Sequence, residues 1–140
     1  MKYDRFVQEV KEPVILYSAQ VAGDYLLRSV FAPFEQFEQE EFWVLTLNSR
    51  NRITHQAMAY RGMINAIAVR PAELFRLAIR LNACALLFAH NHPSGDPEPS
   101  DADVEMHHKL CQGGELLGIR VVDTMVVGRN SWTSVRTFDR

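Results

Sequence analysis

Three features of the sequence predict an α/β domain with a mixed β-sheet flanked by helices. Strand-like apolar runs alternate with amphipathic helical segments along the chain. One run, Ala83-Cys84-Ala85-Leu86-Leu87-Phe88-Ala89, is apolar without interruption, as in a strand buried on both faces, and a helix follows it closely. Residues 42 to 60 and 121 to 135 read as hairpins, which adds antiparallel pairing. The 140 residues are 47% hydrophobic and 23% charged, enough for one core and little more. Residues 1–34 are expected to form an arm and a helix packed on the main domain, 35–140.

Residues 1 to 13 are polar and mixed, as expected of an arm. Val14-Ile15-Leu16-Tyr17 is apolar enough for a short strand. Ser18 suits the N-cap of a helix over Ala19 to Phe31, with Val21, Tyr25, Leu26, Val30 and Phe31 as its stripe and Gly23 as a weak point. Pro33 ends it. The acidic stretch Glu35 to Glu41 leads into the β-rich Phe42 to Leu47, and Asn48-Ser49-Arg50-Asn51 turns the chain into Arg52 to Tyr60. Gly62 allows a tight bend or bulge before a further strand, Ile64 to Val69. Pro71 fits the first turn of a helix with a core face of Leu74, Phe75, Leu77, Ala78 and Leu81, and Asn82 stops it. A later helix starts at Ser100 and reaches about Leu110 or Gln112, where Gly113-Gly114 ends it or breaks it before a continuation to Leu117-Gly118. Ile119 to Val122 and Met125 to Val127 read as two strands, and Gly128 to Ser131 turns into Trp132 to Val135.

The chemistry concentrates between the buried strand and that later helix, in His90-Asn91-His92-Pro93-Ser94-Gly95-Asp96-Pro97-Glu98-Pro99-Ser100-Asp101-Ala102-Asp103. Extended residues two apart point the same way, so His90 and His92 can converge on one point. The prolines and Gly95 exclude helix and sheet, so the chain turns as a surface loop. Ser100 and Asp103 have the spacing of a capping box and could serve helix initiation alone. The Asp103 carboxylate can also face back towards the two rings. Two histidines and one carboxylate leave a fourth tetrahedral position open, the pattern of a catalytic zinc site. Such a site lowers the pKa of bound water to about 7 and needs a base for the proton. Glu35, Glu38, Glu40 and Glu41, with Glu73 further on, are the candidates, and spacing does not choose among them.

The spacing His-x-His, seven residues, Ser, two residues, Asp resembles the signature of the JAMM (JAB/MPN+) metallopeptidases, and the wording His-Asn-His-Pro-Ser-Gly-Asp-Pro-Glu-Pro-Ser resembles their RadC-like branch. The contiguous His-Asn-His is not an HNH nuclease motif, which is spread over a ββα-metal unit. The likeness runs over roughly residues 35 to 135, through Glu40 ahead of Val44-Leu45, Gly62, the Arg-Pro-Ala-Glu helix start at Arg70, the loop, and Ile119 to Gly128. It implies a JAB/MPN-like, cytidine-deaminase-like fold with His90, His92 and Asp103 binding Zn2+. It assigns Glu40 as the general base, with Glu41 as its nearest rival, and Ser100 as the partner of the oxyanion. The implied activity is hydrolysis of a peptide or isopeptide bond. Family members often carry Asp-His where this chain has Asp123-Thr124, so a role for that histidine does not transfer.

Asp96 is expected to support a ligand from behind. His107, four residues after Asp103, reads as helix surface beside His108; His55, Trp43 and Trp132 read as structural. Cys84 and Cys111 form no Cys-x-x-Cys pair and read as core thiols. Formal net charge is −2, so DNA is a possible partner that charge does not support, and the helix-hairpin-helix region that the resemblance associates with longer RadC-like proteins is expected to play no part here. A DNA-associated module and a non-catalytic metal-binding interaction domain remain the alternatives. The charged start and the lack of a membrane-length apolar run lead to the expectation of a cytoplasmic protein without membrane partners.

Overall fold

In a computed structural model, which describes residues 7–62 and 69–138, the centre of the fold is a strand buried along its whole length. That strand, β4 (Ala85–Asn91), is buried at every position. It lies in a six-stranded sheet of order β1-β3-β2-β4-β5-β6, with β1 Gln8–Glu9, β2 Glu41–Leu47, β3 Ile53–Arg61, β5 Arg120–Val127 and β6 Trp132–Ser134. β4 and β5 are parallel and every other neighbouring pair is antiparallel. The fold class is the mixed α/β sheet that the alternation of elements predicted.

The period of two in β4 divides the core. Ala85, Leu87 and Ala89 pack on one face with Leu45, Met125 and residues of α1 (Ala19–Tyr25) and the π-turn Leu26–Val30 that extends it. Leu86 and Phe88 pack on the other with α2 (Pro71–Arg80) and α3 (Asp101–Leu117). A helix laid over each face is what a strand buried on both sides requires.

Several local expectations change. The N-terminal arm contributes β1 and buries Val10, while Val14 to Tyr17 makes only an isolated bridge, Ile15 to Arg52. Gly23 is less a weak point than a contact: a Cβ there would lie 2.3 Å from the Trp132 ring. Ile119 to Val127 is one strand from Arg120, not two, because pairing with β4 resumes after a bulge at Val122, with Asp123 and Thr124 opposite Leu87 and Phe88. α3 takes the longer of its two expected ends, to Leu117 with Gly118 in the left-handed region, but passes Gly113-Gly114 without the expected break. Gly114 is needed inside the helix because a Cβ would meet the Ile119 carbonyl at 2.4 Å. Cys84 is exposed and Cys111 partly so, and both are free, so neither is a core thiol. The strand expected over Ile64 to Val69 lies, except for Val69, outside the described residues; Val69 is not in a strand. Among the described residues no helix is long and apolar enough to cross a membrane.

Candidate metal centre

His90 and His92 reach one side of the sheet through the pleat of β4. His90 follows Leu86 and Phe88 on the face covered by α3, and stacks at 5.9 Å on Phe42, its register partner in β2. His92 is two residues on and keeps the same direction; the ring centroids are 5.2 Å apart. The inward stripe of α3 comprises Asp103, Met106, His107, Leu110 and Gly114, a helical spacing of three and four. Asp103 is therefore the N-terminal member of a core stripe, and the loop back from β4 sets it against the two rings.

His90, His92 and Asp103 each offer a ligand atom within 4.8 Å of the others. His90 Nε2 lies 3.4 Å from Asp103 Oδ1, and His92 Nε2 lies 3.1 Å from Oδ2. The helix cap orients this carboxylate: Ser100 N–H donates to Oδ2 at 2.8 Å, and the Ser100 hydroxyl accepts from Asp103 N–H at 3.1 Å. Capping and presentation of the carboxylate are thus one arrangement.

The loop is held to the turn after β5. His92 N–H donates to the Val127 carbonyl, Gly95 N–H to His92, and Arg129 N–H to Gly95. Gly128 makes the approach possible, since a Cβ there would lie 2.3 Å from the Gly95 oxygen and 2.8 Å from Pro97 N. Asp96 supports His92 through its backbone: His92 Nδ1 is 3.0 Å from the Asp96 carbonyl oxygen. The Asp96 carboxylate instead accepts from the Glu98 amide.

This contact tests whether the site suits a cation. A carbonyl oxygen only accepts, so Nδ1 of His92 carries the proton and, in the neutral ring, Nε2 turns a lone pair towards a carboxylate 3.1 Å away. Two lone-pair-bearing atoms so close need a cation between them, a proton or a metal ion. The charges agree. His92 is raised above the usual imidazole range, first by its hydrogen bond to Asp103, against the effect of burial, with smaller help from the Asp103 charge, the Asp96 carbonyl and the Glu40 charge. Burial pushes His90 down to about 4, so the ring is neutral with a lone pair available. Asp103 lies below its ordinary value although burial alone would raise it, because the two histidines and the Ser100 amide together outweigh burial. A His–His–Asp group able to hold a metal ion is therefore present.

The carboxylates ahead of β2 separate by the same pleat. Glu40 has the parity of Phe42, hence of His90 and His92, and its charge is felt at His92. Glu41 has the opposite parity. Its carboxylate is buried, accepts from Trp43 Nε1 at 3.0 Å and pairs with Arg61 Nε at 3.1 Å. Glu38 stands with Gln36, Gln39, Glu41 and Arg61 around a cleft of about 320 Å³. A cleft of about 380 Å³ between Cys111, Glu115 and Val121 lies at the opposite end of α3 and holds none of these groups. His107, read from sequence as helix surface, is buried in the α3 stripe, with Nδ1 2.9 Å from the Thr124 hydroxyl. The signal for it was the period of the stripe: 103, 106, 107, 110, 114.

The RadC-like JAB domain family matches residues 17–139. A UPF0758 protein of Desulforudis audaxviator is 43% identical over 125 residues, 89% of this chain and 52% of its own length. One from Staphylococcus epidermidis is 40% identical over 106 residues, covering 76% and 47%, and one from Symbiobacterium thermophilum 44% over 97 residues, covering 69% and 42%. The chain thus spans about half the length of the curated relatives it matches. From a match over most of its length, and from a sheet that delivers two histidines to the start of α3, the chain belongs to the RadC-like JAB domain family.

Proposed function

We propose that this domain is a zinc-dependent hydrolase of peptide or isopeptide bonds. The observation that carries the reading is the His92 ring, whose proton is fixed on the Asp96 side while Nε2 faces Asp103 beside the neutral His90. Zinc suits two imidazoles and one carboxylate with an open position, and when bound it supplies a Lewis acid and an acidified water. His90, His92 and Asp103 hold the ion. Glu40, whose charge acts on His92, takes a proton from the attacking water and returns it to the leaving amine. Ser100 keeps its hydroxyl hydrogen free, since the oxygen is used as an acceptor by the Asp103 amide, and can donate to the developing oxyanion.

A peptide fits the surroundings better than a nucleic acid. Glu35, Glu38, Asp96, Glu98 and Asp101 are exposed around the loop and the β2 start, while Arg129 is paired with Glu35 and Arg61 with Glu41. A phosphodiester backbone meets repulsion there.

Protein purified without added metal should carry about one zinc ion per chain, lost in His90→Ala and His92→Ala. Glu40→Gln should keep the zinc and lose cleavage of a fluorogenic isopeptide library. Folded wild-type protein free of metal, or a Glu40→Gln variant as active as wild type, overturns the reading.

A further inference from the structure

We propose that Asn91, the residue between the two histidines, is a positioning residue for Glu40. The inference rests on the reading of Glu40 as the base. Asn91 is wholly buried at the end of β4. Its Oδ1 accepts from the Glu41 amide at 2.7 Å, and its Nδ2 donates to the Gln39 carbonyl at 3.2 Å. These two backbone groups flank Glu40. The Glu40 carbonyl itself accepts from Gly62 N–H at 2.9 Å.

The need for such a clamp follows from where β2 begins. The strand ladder starts at Glu41, so Glu40 lies one residue outside it. A backbone left to itself there would let the carboxylate swing, and a misplacement of about 1 Å can cost on the order of a hundredfold in rate. A carboxamide offers a donor and an acceptor side by side, which a carboxylate or a hydroxyl of similar size does not in the same geometry. Because Asn91 is bonded on either side to His90 and His92, one rigid strand end sets both the two ligands and the backbone that aims the base.

The test uses the full chain loaded with cobalt(II) as a spectroscopic probe, in wild type, Asn91→Ala, Asn91→Asp and Glu40→Gln. Asn91→Asp keeps the acceptor for the Glu41 amide and loses the donor to Gln39, so it decides the matter if Asn91→Ala does not fold. Both Asn91 variants should bind about one cobalt ion per chain. Exchange of the Glu41 amide hydrogen should be roughly tenfold or more faster in Asn91→Ala. The pH profile of the visible spectrum should shift in both towards that of Glu40→Gln. A wild-type profile in the Asn91 variants, with a changed one in Glu40→Gln, would leave Asn91 a merely structural role and overturn the proposal. Loss of cobalt from both variants would overturn it as well, because Asn91 would then hold the ligands in place and not Glu40. A wild-type profile in Glu40→Gln itself sinks the reading of Glu40 as base, and the positioning role with it.

Discussion

Nδ1 of His92 sits 3.0 Å from the Asp96 carbonyl oxygen, while the opposite nitrogen of the same ring sits 3.1 Å from Asp103. One ring is thus read from both sides, and the side facing Asp103 is the one left for a cation.

Asp103→Asn separates capping from charge. An asparagine at the third helical position can still accept from the Ser100 amide, so the cap, typically about 1 kcal/mol, is largely kept. The negative charge is lost. We expect the metal-free protein to stay folded, losing only the stability that Asp103 and His92 lend each other, while bound zinc falls below stoichiometry by elemental analysis. Equal loss of zinc and of fold would point to a carboxylate that serves the cap alone.

Gly128→Ala should loosen the site from a distance. The added methyl collides with Gly95 and Pro97, displacing the loop that aims the Asp96 carbonyl at His92. Loss of such a supporting contact typically weakens metal affinity by about 10- to 100-fold. Competition with a chromophoric chelator measures it, and unchanged affinity contradicts the role given to the turn.

The metal-free protein should lose stability as pH falls from about 6.5 to about 4. His90 is held down to about 4 by burial, so in this window the unfolded chain binds a proton that the folded one excludes. The loss approaches about 3 kcal/mol at the lower limit, at about 1.4 kcal/mol per pH unit. His92 acts in another window: its raised value gives stability that is complete below 6.5 and is lost as pH rises through the folded pKa. The lowered Asp103 carboxyl gives stability that is complete above about 3.8 and is lost as pH falls through its folded value. Urea unfolding in a chelator at several pH values checks this, and His90→Phe, which can keep the stack on Phe42, should abolish most of the slope.

Glu41→Gln should behave unlike Glu40→Gln. Glu41 serves the fold through Trp43 and Arg61, so its loss is expected to cost about 1 kcal/mol in stability and to leave both zinc and cleavage intact. Cleavage abolished by Glu41→Gln and retained by Glu40→Gln would exchange the two assignments.

Much of the arrangement was legible locally. The Ser100–Asp103 box and the stop at Asn82 each depend on residues within a few positions of one another and appear where spacing predicts, whereas the buried strand read from the apolar run 83 to 89 lies two residues later, leaving Cys84 exposed and taking in His90 and Asn91. That Glu41 turns away from the two rings was also within reach of the alternation of β2, although it takes the register Phe42 to His90 to say which parity faces them. The burial of His107 was missed because its polarity was weighed above its place in the α3 stripe.

The sequence by itself determined which side chains can gather as ligands and the local conformations that present them: two imidazoles two apart on an extended strand, and a carboxylate in the first turn of a capped helix. Only the tertiary structure decided how those pieces meet. Asn91 clasps the residues flanking Glu40, some fifty positions earlier, and Gly128 seats the loop against the turn after β5. The physical reason is that such contacts come from pairing and packing between distant segments, where the fit depends on register and interatomic distance, and neither is written in the spacing along one chain.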